Sequence, residues 1–447
     1  MHYFEKTMTK AHMQNPMLSS WLRFAGKRVL LLQGPHGPFF RRVSHELWAA
    51  GAADVGKVNF NGGDWLYYAS KSVAYRGSLS DWPAFLTQHM DSQAYDCIIV
   101  FGDCRPIHQA ARTVALARGA QFWVFEEGYI RPNFITLEQH GVNAFSHLPK
   151  NRAAYDDWAM AKLPVERNLP NSFGFAARYS MAYFTVCALL WPVFRRYQHH
   201  RSLTLLDGLR WVRAFVRKQF YRVKESNVLA DLQPSGSRPY FLAILQVAQD
   251  AQVAVHSPYR SVPEFIADIV RSFAQHVAAS GQDVVLVIKH HPMDRGYSDY
   301  TRLIAQLAQQ HGLAGRLRYI HDQRLPELLD NALGVVTINS TVGLSGVYHG
   351  TPVITLGEAV YNMAGLTCQE PLAAFWAQPD KYTPDAQLHA KFRNYVTAHT
   401  QINGSFYVAL PGTSAKGLPW RLATPTVSAA STKGALAKGA VARAPQG

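Results

Sequence analysis

Short, strongly apolar runs recur along this chain, and each is broken by glycine, proline or charge before a helical pattern begins. Arg28–Gln33 ends in Gly34-Pro35-His36-Gly37-Pro38 and leads into a helical pattern over Phe39–Ala50. Asp96–Phe101 ends at Gly102-Asp103 before a helix near Ile107–Arg118, and Gln121–Phe125 ends at Glu126-Glu127-Gly128-Tyr129. A second series follows the linker-like cluster Pro234-Ser235-Gly236-Ser237. Its strands are Tyr240–Val247, Asp283–Ile288, Leu317–Ile320, Gly334–Ile338 and Pro352–Leu356, with helices at Val262–Ser280, Tyr297–His311 and Leu325–Asn331. Apolar runs without polar alternation are strands buried on both faces, and their alternation with helices builds βαβ units and parallel sheets. The sequence therefore predicts an α/β protein with two Rossmann-like domains around a central cleft. The expected boundaries are an extension over 1–26, a first domain over 27–178 and a helical insert over 179–234. A second domain over 235–410 and a tail over 411–447, disordered from Thr424, complete the chain.

A chain of 447 residues is long enough for two cores, and 48% hydrophobic against 17% charged residues describes a globular protein. The balance of 45 Lys and Arg against 30 Asp and Glu suits anionic partners: nucleic acid, lipid headgroups or phosphorylated substrates. The four cysteines are scattered with no CxxC pair, which argues against a zinc site or a disulfide framework and fits a reducing compartment. Residues 1–26 carry charges throughout and lack the apolar core of a secretory signal, so a cytoplasmic location is expected. Tyr179–Phe194 is apolar over sixteen residues, short of the ~20 a spanning helix needs, and reads as a buried or interfacial helix. Arg195–Lys224 then carries nine Lys and Arg against the single acid Asp207, interleaved with Trp211, Phe215, Phe220 and Tyr221. Such a basic amphipathic helix either lies on an anionic membrane surface or covers the protein's own core. No nucleic-acid recognition motif accompanies it, so nucleic acid is not an expected partner.

The informative side chains cluster where strands end, the edge at which open α/β sheets bind ligands. Lys289-His290-His291-Pro292 places three cationic or titratable groups at one such end, and any of them could neutralise a donor phosphate. Ser340-Thr341-x-Gly343 at another offers hydroxyls and helix N-terminal N–H groups, either as an anion seat or as an ordinary N-cap. Together they point to an enzyme using an activated, phosphate-bearing donor. Gly34-x-x-Gly37 with His36 is a candidate acceptor cradle or a plain tight turn. Glu126 and Glu127, beside Arg131, are candidates for general acid/base work, with Glu127 favoured because Glu126 continues the buried strand. Asp250, just past a strand, is a candidate nucleophile or a turn cap. No DxD pair or HExxH spacing suggests a metal.

In this order, QGPHGPFF (33–40), FEEGYIRPN (125–133), the Gln246 to Asp250 segment, KHHP (289–292), NSTVGLSGVYHGTPVITLG (339–357), YNMAGLTCQEPLAAFW (361–376) and QINGSFY (401–407) resemble the capsule polysaccharide biosynthesis proteins of the KpsS/LipB and KpsC type. The His-Pro and Ser/Thr segments also resemble those of bacterial sialyltransferases and polysialyltransferases, which use CMP-sugars. The resemblance implies a GT-B glycosyltransferase that moves β-Kdo from CMP-Kdo to a lysophosphatidylglycerol-based lipid at the inner membrane, beside other capsule synthesis and export proteins. It implies that His291, Ser340 and Thr341 hold the CMP phosphate, that Asp250 is the nucleophile of a retaining double displacement, and that Glu127 or Glu126 is the acid/base. No cofactor or obligatory metal is implied. Rival expectations are a sugar-nucleotide epimerase of the same fold and a non-catalytic export component.

Overall fold

The computed structural model describes residues 22–197, 205–232, 238–248 and 251–408. The first domain runs β1 (Arg28–Leu31), α1 (Phe39–Ala49), β2 (Asp54–Asn59), α2 (Gly62–Tyr67), β3 (Ser72–Ala74), α3 (Trp82–Gln93), β4 (Cys97–Phe101), α4 (Pro106–Ala117), β5 (Gln121–Glu127) and β6 (Phe134–Gln139). Two helices bridge to the second domain, α5 (Phe173–Leu189) and α6 (Leu205–Lys224). There follow β7 (Tyr240–Ile244), α7 (Ala251–His256), α8 (Val262–Ser280), β8 (Val285–Lys289), α9 (Thr301–Gln310), β9 (Leu317–Ile320), α10 (Leu325–Asp330), β10 (Gly334–Thr337), α11 (Thr341–His349) and β11 (Val353–Thr355). Helix α12 (Ala386–Thr400) and β12 (Gln401–Asn403) close the described chain.

The strands form a seven-stranded sheet ordered β12-β6-β5-β4-β1-β2-β3 and a five-stranded sheet ordered β11-β10-β7-β8-β9. The second sheet is parallel throughout, and its central β7 and β8 are buried at every residue. Apolar clusters cover both faces of each sheet, which is why these strands lack alternation. The expected two Rossmann-like domains are therefore present. One boundary differs: β12 pairs antiparallel with β6, so the segment 401–403 leaves the second domain and edges the first sheet.

Helix α8 matches its expected span because its ends are written locally. Ser261 caps it by accepting from the Glu264 N–H, the Glu264 carboxylate accepts from the Arg260 N–H, and Pro263 sits in the first turn. Gly281 stops it in the left-handed region at φ +65°. Between these, Phe265, Ile266, Ile269, Val270 and Phe273 recur at helical spacing and are buried.

The apolar insert helix α5 packs on α2. A Cβ at Gly62 would lie 2.4 Å from the Val186 carbonyl oxygen, and one at Gly63 2.4 Å from the Tyr183 ring, so only glycines allow this approach. Tyr183 is buried, donates to Asp64 Oδ1 at 3.1 Å and accepts from Asn61 at 2.7 Å. No described helix is long and apolar enough to cross a membrane. Because the Val186 oxygen is backbone and cannot turn aside, Gly62→Ala is expected to cost about 1–3 kcal/mol. A lower Tm with faster hydrogen exchange across 173–194 would show this, and an unchanged Tm would contradict the packing.

Candidate functional site

Register sets the geometry of the candidate site. Thr337, Ile244, Lys289 and Ile320 stand in one row across the second sheet. With strands about 4.8 Å apart, the ends of β8 and β10 lie about 10 Å from each other on either side of β7. The residues that follow overhang this one edge and are tied together. The Gln246 side chain accepts from the Asn339 N–H at 3.3 Å, and Asp294 accepts from the Ala248 N–H at 3.4 Å. The His-Pro and Ser-Thr segments thus flank the end of β7. Asp250, two residues beyond Ala248, lies outside the described residues.

The three adjacent side chains that end β8 and follow it have different jobs. Lys289 is buried and donates to the His321 carbonyl at 2.9 Å, and burial lowers its pKa. His290 is buried against Tyr300, Tyr319 and His321, with Nδ1 2.7 Å from the Tyr319 hydroxyl. Burial pushes it down to about 3, so it is neutral architecture. The expectation that either group meets a phosphate is corrected: both turn inward beneath the edge. His291 alone stays half-buried. As Pro292 requires, its backbone is extended (φ −77°, ψ 128°). Its Nδ1 accepts from the Met293 N–H at 3.2 Å, which leaves the proton of the neutral ring on Nε2 as a donor. Burial, with the charges of Lys289, Arg131 and Arg295, pushes His291 down to about 4.

Across β7, Ser340 is the N-cap of α11, accepting from the Val342 N–H at 3.2 Å. The hydroxyl keeps its own proton to donate, and the helix end favours an anion. Thr341 opens the helix and is half-buried. Gly343 is explained by packing instead: a Cβ there would lie 2.1 Å from the Tyr361 hydroxyl, which donates to the Ser340 carbonyl at 2.5 Å. Its assignment as a direct donor contact is corrected accordingly.

From the first domain, Arg131 is exposed on the loop after β5, and its charge reaches His291. The preference between the two acids reverses. Glu127 is exposed, whereas Glu126 is half-buried with Oε2 3.7 Å from where a Cβ of Gly102 would stand. The strand pleat turns Glu126 toward the end of β4 and Glu127 outward. Gly34 and Gly37 are accounted for by close approach of the Phe40 and Tyr179 rings, each 3.0 Å from a built Cβ, with Gly37 at φ +133°. His36 stacks on Tyr183 at 4.4 Å and meets Ser180 at 3.2 Å. The segment, a candidate cradle or a plain turn in the sequence, is packed against α5.

One group escaped the sequence reading. Asp103 and Cys104, after β4, meet His256, at the end of α7, across the two domains. Cys104 Sγ is 3.3 Å from His256 Nε2 and 3.4 Å from Asp103 Oδ1, and Phe145 packs edge-on against the imidazole. One ligand atom from each lies within 4.8 Å of the others, a donor set a soft divalent metal could use. Burial raises the pKa of Asp103. Nearby, burial pushes Glu138 up to about 7, where Ser146 and Tyr129 donate to it at 2.5 and 2.6 Å. The sequence signal was present in Gly102-Asp103, a strand end like the others. The partner of the adjacent Cys104, His256, lies 152 residues away in the chain.

A family model described as "Capsule polysaccharide biosynthesis protein" matches residues 96–407. The chain belongs to this family. It is 42% identical over 385 residues to the capsule polysaccharide export protein KpsS of Escherichia coli, covering 86% of this chain and 97% of the relative. It is 37% identical over 412 residues to the capsule polysaccharide modification protein LipB of Neisseria meningitidis serogroup A, covering 90% and 96%. A solved structure titled "Thermosulfurimonas dismutans KpsC, beta Kdo 2,7 transferase" aligns with a TM-score of 0.42 at 12% identity, over 85% of this chain and 93% of that one. The matched region of this capsule protein holds both strand-end clusters and the Asp103–Cys104–His256 group.

The two depressed imidazoles make an acid-side prediction. Their folded values, about 3 and about 4, lie below the ordinary histidine value, so the unfolded chain binds more protons. Their contribution is complete above about pH 6.5 and is lost as pH falls toward those values, by about 1.4 kcal/mol per pH unit for each. Denaturant unfolding from pH 7 to 4.5 should show this slope, and His290→Asn should flatten it. An unchanged slope would place His290 in a solvated setting.

Proposed function

We propose that the protein is a glycosyltransferase that moves β-Kdo from CMP-Kdo to a lysophosphatidylglycerol-based lipid acceptor at the inner face of the cytoplasmic membrane. The observation that carries this reading is His291: a half-buried neutral imidazole whose proton sits on Nε2, among the charges of Lys289, Arg131 and Arg295, across β7 from the Ser340 cap of α11. Such a spot favours an anion with several oxygens, as in a sugar-linked cytidylate. Membership of the capsule family and the resemblance of the strand-end motifs to those of β-Kdo transferases supply the sugar and the acceptor class.

In this mechanism His291 Nε2–H, the Ser340 and Thr341 hydroxyls and the α11 terminus neutralise the donor phosphate. The carboxylate of Asp250 attacks the anomeric carbon, and the bond to the phosphate oxygen breaks as CMP departs with its electron pair. The acceptor hydroxyl then displaces Asp250, and its proton passes to Glu126, the better placed of the acid pair. Retention follows from the two inversions. No step is routed through a cofactor or a metal.

Two measurements test this. Incubation with CMP-Kdo and lysophosphatidylglycerol, followed by mass spectrometry, should reveal a lipid heavier by one Kdo residue. Asp250→Ala should abolish that product while CMP binding persists, and retained turnover removes the nucleophile role. His291→Ala should weaken CMP binding about 10- to 100-fold, the loss of a hydrogen bond to a charged partner. The name of the Escherichia coli relative speaks of export, and a protein acting only in export would give no product with any CMP-sugar.

A further inference from the structure

Helix α6 presents two opposed faces of different chemistry, and its outer face is built for a lipid surface. At 3.6 residues per turn, Val212, Phe215, Val216, Phe220 and Val223 fall on one arc about 140° wide. All five are between 56% and 76% exposed. Arg213 and Lys224 line one margin of this arc, Lys218 and Arg222 the other, and all four are exposed. From Arg210 to Lys224 there is no acidic residue. A helix that only covered its own core would turn these apolar side chains inward.

The inward face is occupied by other residues. Gly296 lets the helix approach so closely that a Cβ there would stand 2.4 Å from the Arg210 carbonyl oxygen and 3.2 Å from Ala214. Arg217 pairs with Asp299 at 2.7 Å and donates to the Arg295 carbonyl at 3.0 Å. Tyr221 stacks on His321 with ring centroids 3.5 Å apart, and Glu225, just past the helix, bonds His321 Nδ1 at 2.6 Å. Burial alone would raise the Glu225 pKa, but its bonds to His321 outweigh this and hold it below the ordinary value. His321 in turn accepts from Lys289, next to His290 and His291. The outer apolar arc therefore belongs to an element fixed to the floor of the phosphate-binding edge.

We propose that the outer face of α6 is a docking surface for an anionic lipid bilayer, with the valine and phenylalanine arc entering the headgroup boundary and the four margin cations meeting anionic headgroups. Charge decides the occupant. Another protein's apolar face would need few flanking cations, whereas an anionic bilayer is matched by both components at once. A second copy of this chain, with the same cations, would repel the face. The docking stands on the geometry of α6 alone. Only its consequence, that the donor edge is held beside a lipid acceptor, rests on the transferase reading.

The test uses the full chain without donor, mixed with phosphatidylcholine vesicles with or without phosphatidylglycerol. The protein should sediment with the anionic vesicles and not with the neutral ones, and binding should fall steeply between about 0.1 and 1 M salt. Phe215→Glu with Phe220→Glu should lower partitioning at least about tenfold, and so should the four margin cations changed to Gln. Both variants should keep wild-type circular dichroism and CMP affinity, which certifies folding. Equal binding of the Glu variant, indifference to phosphatidylglycerol, or self-association through this face in analytical ultracentrifugation would each overturn the proposal. Vesicle binding needs no sugar donor, so its failure is distinct from a failure of Kdo transfer.

Discussion

A parallel strand buried on both faces can release its chain only at the edge of the sheet, and that constraint organises this molecule. Strands β7 and β8 are buried at every residue and apolar up to Lys289 at the tip of β8, so their interiors carry no ligand-binding group. Polar chemistry is pushed to the residues just beyond, where Lys289, Ile244 and Thr337 end in register. The sheet thereby brings His291 and Ser340, far apart in sequence, to either side of one strand end. Their side chains then separate by depth. Lys289 and His290 sink to brace β9, and His291 remains at the rim.

The second domain was largely legible because its punctuation is local. The capping box at Ser261 and the stop at Gly281 fix α8, and the apolar runs name β7 to β11. Strand β2 was not read as one, since Lys57 and Asn59 interrupt its pattern; in the fold both are buried, Lys57 donating to the Val58 carbonyl and Asn59 to the Tyr68 carbonyl. Strand β12 escaped because three residues carry no periodicity, and only β6, far away in sequence, gives it a partner.

The same division runs through the site. A run of three titratable residues says that a strand end is polar, but depth below the rim is a tertiary property, so the roles of Lys289 and His290 were out of reach. Glu126 and Glu127 differ by one step of the pleat, and the apolar run before them does not tell which face continues into the cleft. Gly343 belongs by sequence to a candidate anion seat, but the Tyr361 hydroxyl supplies the reason for its missing side chain. Cys104 and His256 meet only through the arrangement of two domains.

The return of β12 to the first sheet has a mechanical consequence. The polypeptide passes between the domains once through the α5–α6 insert and again after α12, so they are joined at two points. One apolar cluster also runs from Tyr129, Ile130 and Phe134, around Arg131 in the chain, to Tyr240, Leu242 and Val287 of the second sheet. The seam between the lobes is therefore welded by a shared interior as well as by the chain that crosses it.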